Sequence, residues 1–252
     1  IAYVHIGPVV FYRGFTREFL EGKHGASSEL VTKCAQAVDR IGEGKRLVVI
    51  DGVGYPSVGS IVGCSSAEIA LACRAPVLIV GKSGVGDAID SFNLCAAFFE
   101  RRGIPVVGAI FNKLAHTGLY SRDKCAEYVA RYFAQVRQSQ HAYGFIPTND
   151  ALAALGEEET CGFSFSHPNP QNLVIRVLPM DDAETAAVAN VRDLFREYVD
   201  VGAVVADIQA ALPAVERALM RDSTMNLITA DPVALARNPV ALMWVLVTAV
   251  VA

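Results

Sequence analysis

Residues 47–50, Leu-Val-Val-Ile, form an unbroken apolar run that is closed by an acid, Asp51. The loop that follows holds Gly52, Gly54, Gly59 and Gly63. A short apolar run bounded in this way reads as a strand buried on both faces. In an open α/β sheet, ligands sit outside the carboxyl ends of the strands, so an acid at that point faces a binding crevice. Glycines beside it let backbone N–H groups approach an anion closely. The same residues also suit a tight turn with a solvated aspartate, and the stretch alone leaves the two readings level.

On either side of this strand, apolar runs alternate with helical patterns. A strand is predicted over 1–6, ended by Gly7-Pro8, with a second apolar run at 9–12 and a polar segment at 13–25. A helix over 28–41 places Leu30, Val31, Cys34, Val38 and Ile41 on one face, and Gly42 and Gly44 stop it. Ser65 and Glu68 have the spacing of a capping box that opens the next helix. A strand over 77–80 leads into the glycine-rich turn 81–87, GKSGVGD. A helix over 88–102, a strand over 106–111 ending in Asn112-Lys113, a helix over 122–138 and a strand over 142–146 with Pro147 complete the series. This alternation predicts an α/β fold with a doubly wound, mostly parallel sheet and right-handed crossovers.

Beyond residue 155 the pattern changes. Residues 156–172 read as a linker or surface loop. A C-terminal extension over 173–252 then offers a strand at 173–178 and a helix at 181–198. The expected apolar face of that helix is Val188, Val191, Leu194, Phe195 and Tyr198, with Asp181 and Asp182 suiting its N-terminus. Another helical pattern covers 207–220, with Pro213 placed in a first turn. The final apolar run, 240–252, is shorter than the roughly 20 residues a membrane span requires, so a buried helix or strand is expected there.

Composition narrows the function classes. Hydrophobic residues make up 52% and charged residues 19%, which argues for a large core or extensive subunit contact and against disorder. A net charge of −4, with no basic run of five or more, gives no electrostatic footprint for nucleic acid. Six cysteines occur without a CxxC pair, and Cys34, Cys95 and Cys125 fall inside apolar helical patterns. That suits buried thiols in a reducing intracellular compartment, cytoplasmic or organellar, without structural zinc. The five histidines show no HExxH spacing, and GxSxG is missing. A first residue of Ile rather than Met suggests a processed or trimmed start.

Two stretches carry candidate chemistry besides Asp51. Gly81-Lys82-Ser83 matches the end of a phosphate-binding GxxxxGK[ST] loop, but the position of its first glycine is Pro76, and 77–80 belong to a strand. The segment is therefore a tight turn, with substrate lining by Gly81, Lys82 and Ser83 as the functional alternative. The motif occurs nowhere else in the chain. Asn112 at a strand end can donate to and accept from a purine edge, and the stem of Lys113 can lie along the ring. A turn-forming asparagine explains the same pair equally well.

Together, VVIDGVGYPSVGSIVG, APVLIVGKSGVGDAIDSFNLCAAFFERRGIPVVGAIFNKL and YGFIP resemble the middle and later part of dethiobiotin synthetase and its relatives. These P-loop-type proteins include the N-terminal domain of some phosphate acetyltransferases and the cobyrinic acid amide synthetases. The resemblance covers about residues 9–155 and implies a P-loop-type α/β domain over 1–155. It places Asp51, Gly52 and Gly54 on the family's Glu-Gly-x-Gly motif, which makes Asp51 the catalytic acid and metal ligand. It places Asn112 against the nucleotide base, and Ile146 and Pro147 along the base pocket. ATP, Mg2+ and a homodimer are implied with it. So is the chemistry: a carbamate formed from CO2 and a diamine is phosphorylated, then closes to a cyclic urea.

The chain departs from that family at two points. Residues 1–6 run into Gly7-Pro8 where the Walker A loop belongs, and Asp51 is a carbon shorter than the usual Glu. Without the loop, phosphoryl transfer lacks its main electrostatic support. Two expectations follow: an ATP-dependent ligase whose phosphate loop lies in a segment ahead of Ile1, or a pseudoenzyme subunit that keeps the fold as an interaction module in a larger assembly. A regulatory domain of the phosphate acetyltransferase kind ranks behind both.

Overall fold

The computed structural model describes residues 8–52, 54–149, 182–221 and 241–247. The strands expected at 1–6 and 173–178 and the loop expected at 156–172 lie outside them. Among the described residues, five strands form one sheet: β1 (Leu47–Gly52), β2 (Val77–Gly81), β3 (Val106–Leu114), β4 (His141–Pro147) and β5 (Ala241–Val247). Their order is β1-β5-β2-β3-β4, and every pairing is parallel. The mostly parallel α/β architecture expected from the alternation is what the chain adopts.

Strand parity separates the two faces. Val77, Ile79, Ala109 and Phe111 share a core with residues of α2 (Ser27–Gly42), α3 (Ser66–Ala72), α4 (Gly86–Glu100) and α5 (Arg122–Val136). Leu78, Val107, Ile110 and Tyr143 point the other way and pack on Val199, Val204 and Ile208. The last two belong to α7 (Val201–Arg221), which follows α6 (Asp182–Tyr198). Helices thus cover both faces, one set from the crossovers and the other from the C-terminal part.

Local chemistry explains the boundaries. Ser65 caps α3 in a complete capping box with Glu68, as its spacing indicates. Gly103, in the left-handed region at φ 73, ends α4. The polar stretch 13–25 contains a short helix, α1 (Phe15–Leu20), whose Phe15 is buried against Leu30 and Val62.

Four expectations need correction. The run 47–50 is not buried on both faces: Val48 is buried, but Val49, pointing to the opposite face, is 56% exposed. A continuous apolar run therefore overstated its burial, since alternate side chains of a strand face opposite sides of the sheet and only one side is covered at Val48. Pro213 lies inside α7, not in a first turn. The lost N–H bond is tolerated because Val204, Ile208 and Val215 bury the helix on both sides of it. The expected apolar face of α6 is divided: Leu194 and Tyr198 are half-buried, whereas Val188, Val191 and Phe195 are exposed. Strand β3 runs three residues beyond Phe111, so Asn112 and Lys113 lie within its end rather than after it. For the final apolar run, the described part, β5, is a strand.

Candidate functional site

The sequence-selected residues fall at separate places along the carboxyl ends of the parallel strands, the side of such a sheet on which ligands bind. Gly81 ends β2 in register with Phe111 of β3, and Leu114 of β3 is in register with Pro147 of β4. Gly81, Lys82, Ser83, Asn112, Lys113, Ile146 and Pro147 are thereby collected onto three adjacent strand ends. Asp51 and Gly52 end β1, with β5 between them and β2. Two strand spacings of about 4.8 Å place β1 roughly 10 Å from β2. Asp51 is in register with Val245, and Val245 with Leu78, three residues before Gly81.

The two glycine-rich turns have strong structural reasons. At Gly81 a Cβ would stand 2.8 Å from the Phe111 ring, so the close approach of β2 to that ring requires glycine. Phe111 in turn stacks on Phe145 at 5.3 Å and meets Phe133 edge-on. Gly59, at φ 89, accepts from the Cys64 N–H, and a Cβ there would lie 2.4 Å from the Cys64 carbonyl oxygen. The loop after β1 is thus folded on itself. At Gly54, also left-handed, an added Cβ would meet the Val58 side chain at 3.3 Å. Lys82 is half-buried and Ser83 exposed, in the turn that enters α4.

At the β3 end the backbone is irregular. The β3–β4 register shifts between Phe111 and Leu114, and Lys113 adopts φ 59, a left-handed conformation uncommon for a residue with a side chain. The Lys113 N–H donates to Asn112 Oδ1 at 2.8 Å, which holds both the turn and the amide plane. The Lys113 side chain is exposed and Asn112 half-buried. Pro147 is buried, and Ile146 packs onto the second-face core.

Sequence reading did not single out His116 or Thr148. The Thr148 N–H donates to the Leu114 carbonyl at 2.8 Å, and His116 Nε2 lies 3.0 Å from the Thr148 oxygen, so the two close the rim beside Pro147. It also missed a polar cluster at the other end. Tyr12 Oη donates to Glu18 and lies 3.2 Å from His24 Nε2, beside the loop on which α1 packs. The bond from Tyr12 holds the Glu18 carboxyl below its usual range and raises the phenol. No motif spacing marks either group; only the fold brings them together.

Burial pushes the Cys34, Cys64 and Cys95 thiols up to about 11, so none supplies a thiolate nucleophile at neutral pH. Among the described residues, no group of three or more His, Cys, Asp or Glu could hold a metal ion. Among them, too, no helix is long and apolar enough to cross a membrane.

A sheet whose described strands run parallel, with helices on both faces, is the α/β architecture of nucleotide-binding proteins of the P-loop type. Residues 2–155 match the family model described as an AAA domain, and the chain belongs to that family. No curated protein and no solved structure gave a match.

Proposed function

We propose that this chain is a dethiobiotin-synthetase-like protein that holds the base of a purine nucleotide at the carboxyl ends of β3 and β4. The observation that carries the reading is the Asn112–Lys113 irregularity. A left-handed non-glycine residue costs about 1–2 kcal/mol, and such strain concentrates at ligand sites. Here it orients an amide whose NH2 group remains to donate to a ring nitrogen, at the strand end that Ile146 and Pro147 close on β4.

ATP with Mg2+ is the ligand that the resemblance implies, with Asp51 as catalytic acid and metal ligand and with Gly52, Gly54, Gly81, Lys82 and Ser83 lining the substrate. The residues of this chain suit the base better than the phosphates. The sequence contains no GxxxxGK[ST], and β5 separates Asp51 from β2. Mg2+ is commonly bound through one or two carboxylates plus the phosphates themselves, so a lone aspartate is a poor site without them. The same mismatch favours a second reading, in which the fold serves as a non-catalytic subunit in a larger assembly.

Calorimetric titration with adenosine, ADP and ATP, each with Mg2+, tests the base site. Adenosine and ATP are expected to bind within about tenfold of each other, a difference of 1.4 kcal/mol or less. Asn112→Ala should weaken both by a similar factor. Absence of binding by all three at millimolar concentration would overturn the base site and leave the subunit reading.

A further inference from the structure

Helix α6 lies outside residues 2–155, yet it is tied to both segments that leave the β3–β4 strand end. After β4, the Asn149 amide donates to Asn190 Oδ1 at 2.8 Å. After β3, residues 115–121 form a loop closed by a bridge between Ala115 and Ser121, and the Arg122 N–H donates to the Ala115 carbonyl at 2.8 Å. The Arg122 guanidinium lies over the Tyr198 ring, 4.8 Å from its centroid. Arg122 opens α5, a position where the helix dipole disfavours a cation. Its ion pair with Asp123 and the face of Tyr198 offset that cost.

The Tyr198 end of the helix is itself fixed. Val199 bridges Gly144 of β4, and the Asp200 N–H donates to the Tyr143 carbonyl at 2.9 Å. A Cβ at Gly144 would stand 2.5 Å from the Tyr198 carbonyl oxygen, so only glycine lets the chain come this close to the strand. His116 bonds the Thr148 oxygen, and the Thr148 N–H bonds Leu114. The contacts therefore run from α6 through one segment to the other and back to α6, and Asn112–Lys113 directly precede Leu114 within that series.

We propose that α6 is a positioning element of the nucleotide-base site, an inference that rests on the base-binding reading. Tyr198 acts through Arg122 on the loop after β3, and Asn190 through Asn149 on the rim after β4. Residues 115–120 are all exposed, so the loop has little packing of its own to order it. Ordering both sides of a site before the ligand arrives removes part of the ordering cost of binding, and the two α6 contacts supply that order.

Calorimetric titration of the full chain with adenosine tests this. Tyr198→Ala combined with Asn190→Ala should weaken binding about tenfold, the combined size of two such contacts, while circular dichroism shows the variant folded. Tyr198→Phe combined with Asn190→Asp keeps the ring and the acceptor, and should bind within about twofold of wild type. An alanine pair that binds as tightly as wild type overturns the inference and leaves the base site standing. So does a conservative pair that loses as much as the alanine pair, since the ring and the acceptor would then not be what holds the loops. A wild-type chain that binds no adenosine at millimolar concentration overturns the base site itself, and the role of α6 with it.

Discussion

At the β3–β4 end of the sheet, Gly81 sits under the Phe111 ring, Phe111 stacks on Phe145, and the strand ends lie in direct register. At the β1 end, Asp51 and Val49 stand exposed on a strand whose partner among the described residues, β5, comes from nearly 200 residues later in the chain. The first end is made by short crossovers between neighbouring strands, so each side chain is placed by adjacent, well-buried ones. The second depends on a long-range pairing. A site that needs fixed geometry is better served by the first, which is why the base-binding proposal rests there and Asp51 is the less constrained group.

Substitutions can break this comparison, beginning with the largest effect. Phe111→Ala removes a fully buried ring that touches two other aromatics, and should cost about 4 kcal/mol in urea unfolding. A loss near 1 kcal/mol would mean that the β3–β4 end is not the rigid one. Gly81→Val drives a side chain into the same ring, with an expected loss of about 2–3 kcal/mol. If it proves neutral, the turn has room for a ligand-facing glycine, and the packing explanation fails.

Smaller effects sharpen the contrast. Lys113→Gly should raise stability by about 1 kcal/mol, because glycine adopts φ 59 without strain. It should at the same time weaken adenosine binding, which calorimetry would detect. A stability gain with unchanged binding would detach the strain from the ligand. Asp51→Asn, at an exposed position, should shift stability by less than about 0.5 kcal/mol. A larger shift would show that Asp51 has a partner in the folded chain and is not held for chemistry.

Much of the fold could be read directly from the residues. The strands at 77–80, 106–111 and 142–146, the helices between them and the Ser65–Glu68 cap all follow from periodicity and capping chemistry, which act over a few residues. Burial was read less well. Val49 belongs to a run that looks doubly covered, and Val188, Val191 and Phe195 to a stripe that looks like core. Apolar spacing shows that a surface seeks cover but not whether the same molecule covers it. Pro213 was misplaced for a related reason: local propensity put it at a helix start, while packing on both sides of it holds the helix through it.

The candidate site divides in the same way. Sequence by itself determined the parallel α/β class, the absence of GxxxxGK[ST] and the residues at the strand ends, because these depend on local pattern and identity. Only the tertiary structure decided that β5 enters the sheet between β1 and β2, that Asn112 grips the left-handed Lys113, and that His116 and Thr148 close the rim by Pro147. The first and last depend on contacts between segments distant in the chain, and the second on a backbone irregularity where β3 loses register with β4. Loop closure penalises such contacts only weakly with length, so no local pattern records them.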